Sequence, residues 1–69
     1  MLYDRGDLPA SVMNFRRALR SDPAFADAHF NLAMALTELG EREDARSHWS
    51  TYLRLDPDSP WAEVARRHL

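Results

Sequence analysis

The sequence predicts an all-α fold of antiparallel helix-turn-helix repeats, and two observations carry that expectation. The first is a period. Asp22-Pro23 and Asp56-Pro57 stand 34 residues apart and close similar runs, Ala18-Leu19-Arg20-Ser21 and Tyr52-Leu53-Arg54-Leu55. Laid on itself at that offset, the chain pairs Leu2/Leu36, Gly6/Gly40, Leu19/Leu53, Arg20/Arg54, Asp22/Asp56, Pro23/Pro57 and Ala28/Ala62. Seven identities in 35 compared positions exceed the roughly two that composition alone supplies. The second observation is apolar residues at helical spacing between turn residues, with no segment reading as strand. A fixed period of this size marks units that bury an apolar face only against their neighbours.

The first full helix is expected over 8–20, where Leu8, Val12, Phe15, Ala18 and Leu19 form a stripe. Asp7 is its expected cap, and Pro9 is tolerated in the first turn, where its missing amide hydrogen leaves no bond unmade. Asp22-Pro23 ends it, because proline removes a donor and restricts the residue before it. A second helix is expected over 25–39, with Ala28, Leu32, Ala35, Leu36 and Leu39 on one face and Gly40 closing it in the left-handed conformation. The third, over 42–55, carries Ala45, Trp49, Tyr52, Leu53 and Leu55 inward or toward the next turn. Ser59-Pro60 then reads as a cap and first helical residue of a last helix over 60–69, with Trp61, Ala62, Ala65 and Leu69 near one face. Met1–Arg5 reads as the final turn of a helix whose beginning is missing, closed by Gly6 as Gly40 closes its counterpart. On that reading the chain is the C-terminal part of a longer protein.

Composition narrows the function classes. At 69 residues the chain holds one small domain, below the size at which a single core comfortably supports itself. No stretch approaches the roughly 20 apolar residues of a membrane span, and no signal peptide is read at Met1. Cysteine is absent, which excludes disulfides, thiolate metal sites and cysteine nucleophiles. All nine basic residues are arginine, so Schiff-base and phosphate-loop lysines are excluded too. A formal net charge of −2 argues against a general nucleic-acid surface. A cytoplasmic setting without membrane association is expected.

The 34-residue unit from Ala26 to Ser59 resembles a tetratricopeptide repeat. The matching run is His29, Leu32-Ala33, Leu36, Gly40, Ala45, Trp49 and Asp56-Pro57, and Ala28-His29-Phe30-Asn31-Leu32-Ala33 is close to the family's usual opening. His29 replaces a large aromatic, Ala33 a glycine, Leu36 an aromatic and Tyr52 a small residue. The preceding unit is half present, at Leu2, Gly6, Ser11, Phe15, Ala18 and Pro23. The resemblance implies one domain over 1–69, forming a short right-handed superhelix. Residues 1–24 would be an incomplete first repeat, 25–59 a complete one and 60–69 a capping helix. Arg66 and Arg67 stand where a third repeat needs leucine and a small residue, so residues 60–69 are expected to cover the third helix while Glu63, Arg66 and Arg67 face solvent.

Residues that invite a chemical reading have simpler explanations. His29, His48 and His68 are separated by 19 and 20 residues, so two would have to meet through the fold to share a metal. Structural or surface roles are expected, with His29 in inter-helix packing and no metal or cofactor. Asp56/Asp58 and Glu41/Glu43/Asp44 lie at helix ends, where capping and dipole compensation account for them. Ser11, Ser47, Ser50 and Ser59 lack a nucleophile elbow. Arg16, Arg17 and Arg20 form a modest basic face, diluted by Asp22 and Asp27, and direct nucleic-acid binding is not expected. No enzyme is expected.

The resemblance implies a concave groove lined by the first helix of each repeat, open to a peptide or a partner helix. Carried onto this sequence it picks Tyr3, then Asp27, Phe30, Met34, Thr37 and Glu38, then Trp61, Val64 and His68. That mixture suits an apolar partner with one or two cationic or hydrogen-bonding groups, although Phe30, Met34 and Trp61 also read as core packing. Family members that grip a C-terminal carboxylate use Lys, Arg and Asn. Here Asn31 matches, but Trp61 and Ala65 stand where basic residues are needed, so that mode is not expected. The segment from Trp49 to Ala62 also resembles the C-terminal repeat segment of some bacterial MerR-type regulators, which implies an effector or assembly role away from DNA. A non-catalytic interaction module is therefore expected. The alternative is a structural domain that self-associates into homo-oligomers through a partly uncovered first helix bearing Val12, Phe15 and Leu19.

Overall fold

The structure, a computed structural model, describes residues 8–69, with side chains from residue 10 onward. Four helices follow one another: α1 (Leu8–Ser21), α2 (Ala26–Glu38), α3 (Arg42–Leu55) and α4 (Ala62–Arg67). Among the described residues there is no strand. Consecutive helices pack as neighbours, most extensively α2 on α3, then α1 on α2 and α3 on α4. The expectations for Leu2, Tyr3, Gly6 and the Asp7 cap lie outside the described residues.

Helix ends follow from the punctuation of the sequence. The Asp22 amide donates to Ala18 O at 2.9 Å and the Asp56 amide to Tyr52 O at 2.8 Å, the same closing bond one period apart. Proline next in line stops both helices. At the end of α2, Gly40 adopts φ +83°. Its amide bonds Thr37 O at 3.1 Å and that of Glu41 reaches Leu36 O at 2.9 Å, so the last carbonyls of α2 are satisfied through a left-handed residue.

Three elements depart from the sequence reading. Helix α4 covers only Ala62–Arg67 instead of 60–69, and Ser59 does not cap it through its side chain. The Ser59 hydroxyl instead shares a 2.5 Å hydrogen bond with Tyr52 Oη, which satisfies a phenol buried in the core. Consequently the expected apolar edge of α4 divides: Ala62 and Ala65 are buried while Trp61 and Leu69 are exposed. Leu39 and Leu55 end their helices half out in water, because each lies at a C-terminus where the stripe has already turned away from the core. Arg66 is exposed as expected, but its guanidinium donates to Pro57 O at 3.0 Å and ties α4 to the preceding loop.

The core lies between α2 and α3. Trp49, Tyr52 and Leu32 are its largest fully buried side chains, joined by Phe30, Ala33, Leu36, Ala45 and Ala65. Val12, Phe15 and Leu19 of α1 pack against this cluster from one side, and Val64 of α4 joins it. Alanines at 28, 33, 35, 45, 62 and 65 are all buried, and their small size lets the helices approach closely.

Candidate functional site

A concavity of about 550 Å³ lies beside α1 and the N-terminal half of α2. Asn14, Phe15 and Ala18 form its α1 wall, and Ala28, Phe30 and Asn31 its α2 wall. Tyr52 contributes from α3, while Phe25 and Trp61 stand at its margins. Phe25 and Trp61 are 45% and 59% exposed, so two large aromatic rings face water beside an aromatic interior. Phe30 organises that interior. Its ring meets Trp49, Tyr52 and Trp61 at centroid distances of 5.0, 5.1 and 5.9 Å, all edge-on.

Both marginal aromatics owe their positions to turns. Phe25 follows Asp22-Pro23-Ala24, a turn held by Phe25 N–H to Asp22 O at 3.1 Å and Ala24 N–H to Asp22 Oδ1 at 3.3 Å. Trp61 follows Ser59-Pro60 at the N-cap of α4. Asp27, in the first turn of α2, is the only charged residue among the described residues that line the pocket. None of the eight arginines among the described residues lines it. Asn14 and Asn31 complete a polar rim able to donate and accept hydrogen bonds.

The groove residues expected from the sequence therefore divide. Asp27, Phe30 and Trp61 come together at the pocket. Met34 and Val64 pack partly buried against the core. Thr37 links α2 to α3, its hydroxyl donating to Ala33 O at 2.8 Å and accepting from Trp49 Nε1 at 3.3 Å. His68 stacks on the Trp49 indole, centroids 4.6 Å apart and planes within 5°. Glu38 is exposed at the end of α2, away from the pocket lining. Tyr3 lies outside the described residues. Phe25 and Asn14 were not anticipated, because turn geometry and the α1–α2 crossing bring them to the pocket and helical period reports neither.

Two histidines distant in sequence meet. His29 and His48 place their Nδ1 atoms 3.0 Å apart, and His29 Nε2 lies 2.8 Å from Pro23 O. Since a carbonyl only accepts, the proton on His29 resides on Nε2, and in the neutral pair His48 Nδ1–H donates to His29 Nδ1. Burial pushes the His48 pKa down, with further lowering from His29 and Arg16 and an opposing pull from Asp44. Asp44, one helical turn before His48, pairs with Arg16 at 3.6 Å. Among the described residues no group of three or more metal-ligating side chains is placed to hold an ion. No helix among them is long and apolar enough to cross a membrane.

Comparison with known proteins agrees with this architecture. The tetratricopeptide repeat family profile matches residues 2–60. An uncharacterized protein of Methanocaldococcus jannaschii is 40% identical over 43 residues, which is 62% of this chain and 50% of that protein. The chain thus spans about half the length of that curated relative. No solved structure matches it. The period, the helix pairs closed by Asp-Pro and Gly40, and a family match over most of its length establish that the chain belongs to the tetratricopeptide repeat family.

Proposed function

We propose that the chain is a non-catalytic module that docks a segment of a protein partner, a peptide or a helix, in the pocket beside α1 and α2. Tetratricopeptide repeats are in general protein-interaction modules. The observation that supports the location is the pocket itself: aromatic walls, two exposed aromatic rings and the Asp27 carboxylate among its lining residues. Such a surface suits an apolar or aromatic anchor whose neighbour carries a cation or a hydrogen-bond donor toward Asp27. Residues 1–24 and 25–59 act as an incomplete and a complete repeat, and residues 60–69 as a cap whose Trp61 forms one margin of the site. The setting proposed is cytoplasmic.

Binding of an array of short apolar-cationic peptides, followed by backbone NMR shifts, tests this reading. Shifts are expected at Phe25, Asp27 and Asn31. Trp61→Ala, at an exposed site, is expected to weaken binding by about 2 kcal/mol, as for a typical anchor residue. Shifts confined to the outer face of α3 would overturn it.

A second reading, self-association, has its own observation. Met13 on α1 is 58% exposed, beside Val12, Phe15 and Leu19, which are only partly buried. A homo-oligomer built through α1 would cover them. Sedimentation of wild type and Met13→Glu distinguishes the readings. An oligomer abolished by Met13→Glu supports self-association, and a monomer at near-millimolar concentration dismisses it.

A further inference from the structure

The His29–His48 pair braces the turn that carries Phe25 into the pocket. The His29 ring donates to Pro23 O, while the His29 and Ala28 amides both bond Phe25 O, at 3.3 and 3.1 Å. The first α2 turn therefore holds the two ends of the Pro23–Phe25 segment, Pro23 through a side chain and Phe25 through the backbone. His29 is itself buried, at 8% exposure. Its orientation is fixed at both ring nitrogens, by the carbonyl on one side and by His48 on the other.

Proton counting gives this arrangement two regimes. A first added proton is accommodated on His48 Nε2, because His48 Nδ1–H continues to donate to His29 Nδ1 and no bond is lost. A second proton has no such place. It must enter His29 Nδ1, which then points an N–H at the N–H of His48 across 3.0 Å. Two imidazolium rings cannot share that line, so one ring must swing away. If His29 turns, Pro23 O loses its donor inside a partly buried site. The charged groups facing the pair are Arg16 from α1, which opposes added protons, and Asp44 from α3, which favours them.

We infer that the His29–His48 pair is a proton-operated catch on the pocket: neutral or singly protonated it holds the Pro23–Phe25 turn, and the second proton releases it. Its effect on partner docking rests on the groove reading above, whereas the catch itself is a property of the free chain. The lowered His48 pKa, caused first by burial and then by His29 and Arg16, agrees with a pair that resists accumulating charge. Interacting sites of this kind titrate in two macroscopic steps that belong to the pair.

The test follows the imidazole nitrogen resonances of the wild-type chain from about pH 8 to about pH 4.5, the span over which histidines titrate. Two separated steps are expected for the coupled pair, and the Phe25 amide and ring signals are expected to move with the more acidic one. His48→Gln keeps a donor beside His29 Nδ1 but takes no proton, so the Phe25 movement over that step is expected to vanish. His68→Gln is expected to leave it intact. A single shared step, Phe25 signals that stay still, or a Phe25 movement unchanged in His48→Gln would each overturn the catch. All of these readouts use the free chain. A catch that operates in a chain binding no segment would sink the groove reading alone, and docking indifferent to the second step would sever the link between them.

Discussion

Trp49 shows what one side chain does here. It is fully buried, meets Phe30 edge-on, donates its indole N–H to Thr37 and lies flat under His68. Those contacts join α3 to α2 and to the C-terminal end, so emptying the site removes apolar area and leaves a cavity that several elements must close. Trp49→Ala is expected to cost about 3–5 kcal/mol in chemical denaturation. A loss below about 1 kcal/mol would contradict its place in the core. His48 supplies a pH prediction. Its folded-state pKa lies below the ordinary value of 6.5, so at intermediate pH the unfolded chain binds more protons and stability rises with pH. Denaturation midpoints are therefore expected to be constant above the ordinary value, to fall as pH drops below it, and to level off once the folded pKa is passed. His48→Gln removes this contribution. The sequence marked Trp49 as a helix-helix residue through its alignment with Phe15. The His29–His48 contact was illegible, because 19 residues of separation say nothing about which way two rings turn at a helix crossing.

Element boundaries depend on a few residues whose backbone chemistry is local, which is why three of the four helices were legible to within a residue or so. Gly40 is one of them. A Cβ there would meet nothing within 4 Å, so crowding is absent and only the left-handed backbone penalises substitution. Gly40→Ala is expected to cost about 1–2 kcal/mol, the penalty of that conformation for a residue with a Cβ. A negligible cost in thermal or chemical unfolding would show that the turn relaxes to another geometry. The last helix was read too long for a physical reason. Ser59-Pro60 has the composition of a helix start, yet the Ser59 hydroxyl is taken by buried Tyr52. A tertiary partner outbid a local cap. Ser59→Ala is accordingly expected to act through Tyr52, at about 1 kcal/mol, and Tyr52→Phe to recover much of that loss by removing the orphaned phenol.

At the scale of the whole molecule, α2 sits between α1 and α3, and the pocket is the space that α1, α2 and Trp61 leave around Phe30. Nearly all packing joins consecutive helices, an arrangement that needs no long chain closure and favours rapid folding. Circular dichroism is expected to be that of a helical protein, and substantial strand would contradict the fold. The family resemblance, carried onto α2, picked Asp27 and Phe30, and both line the pocket. It missed Phe25, which follows a proline turn whose direction no helical spacing encodes, whereas Trp61 at the other margin was among the residues the family resemblance picked. Met34, Thr37 and His68 share that spacing and yet spend their contacts on the core, since so short a stack must use part of its inner face to hold itself together.

The two tryptophans occupy opposite environments, one sealed in the core and the other more than half open at the pocket margin. The chain thus carries two intrinsic optical reporters that need no label. Trp49 emits from a dry site and Trp61 from a wet one, so the blue and red sides of the emission band report core integrity and pocket occupancy separately. The flat stack of His68 on Trp49 adds a third channel, since an imidazolium lying against an indole quenches its light. A pH titration of the blue side alone would show when the C-terminal end charges, without disturbing the molecule it observes.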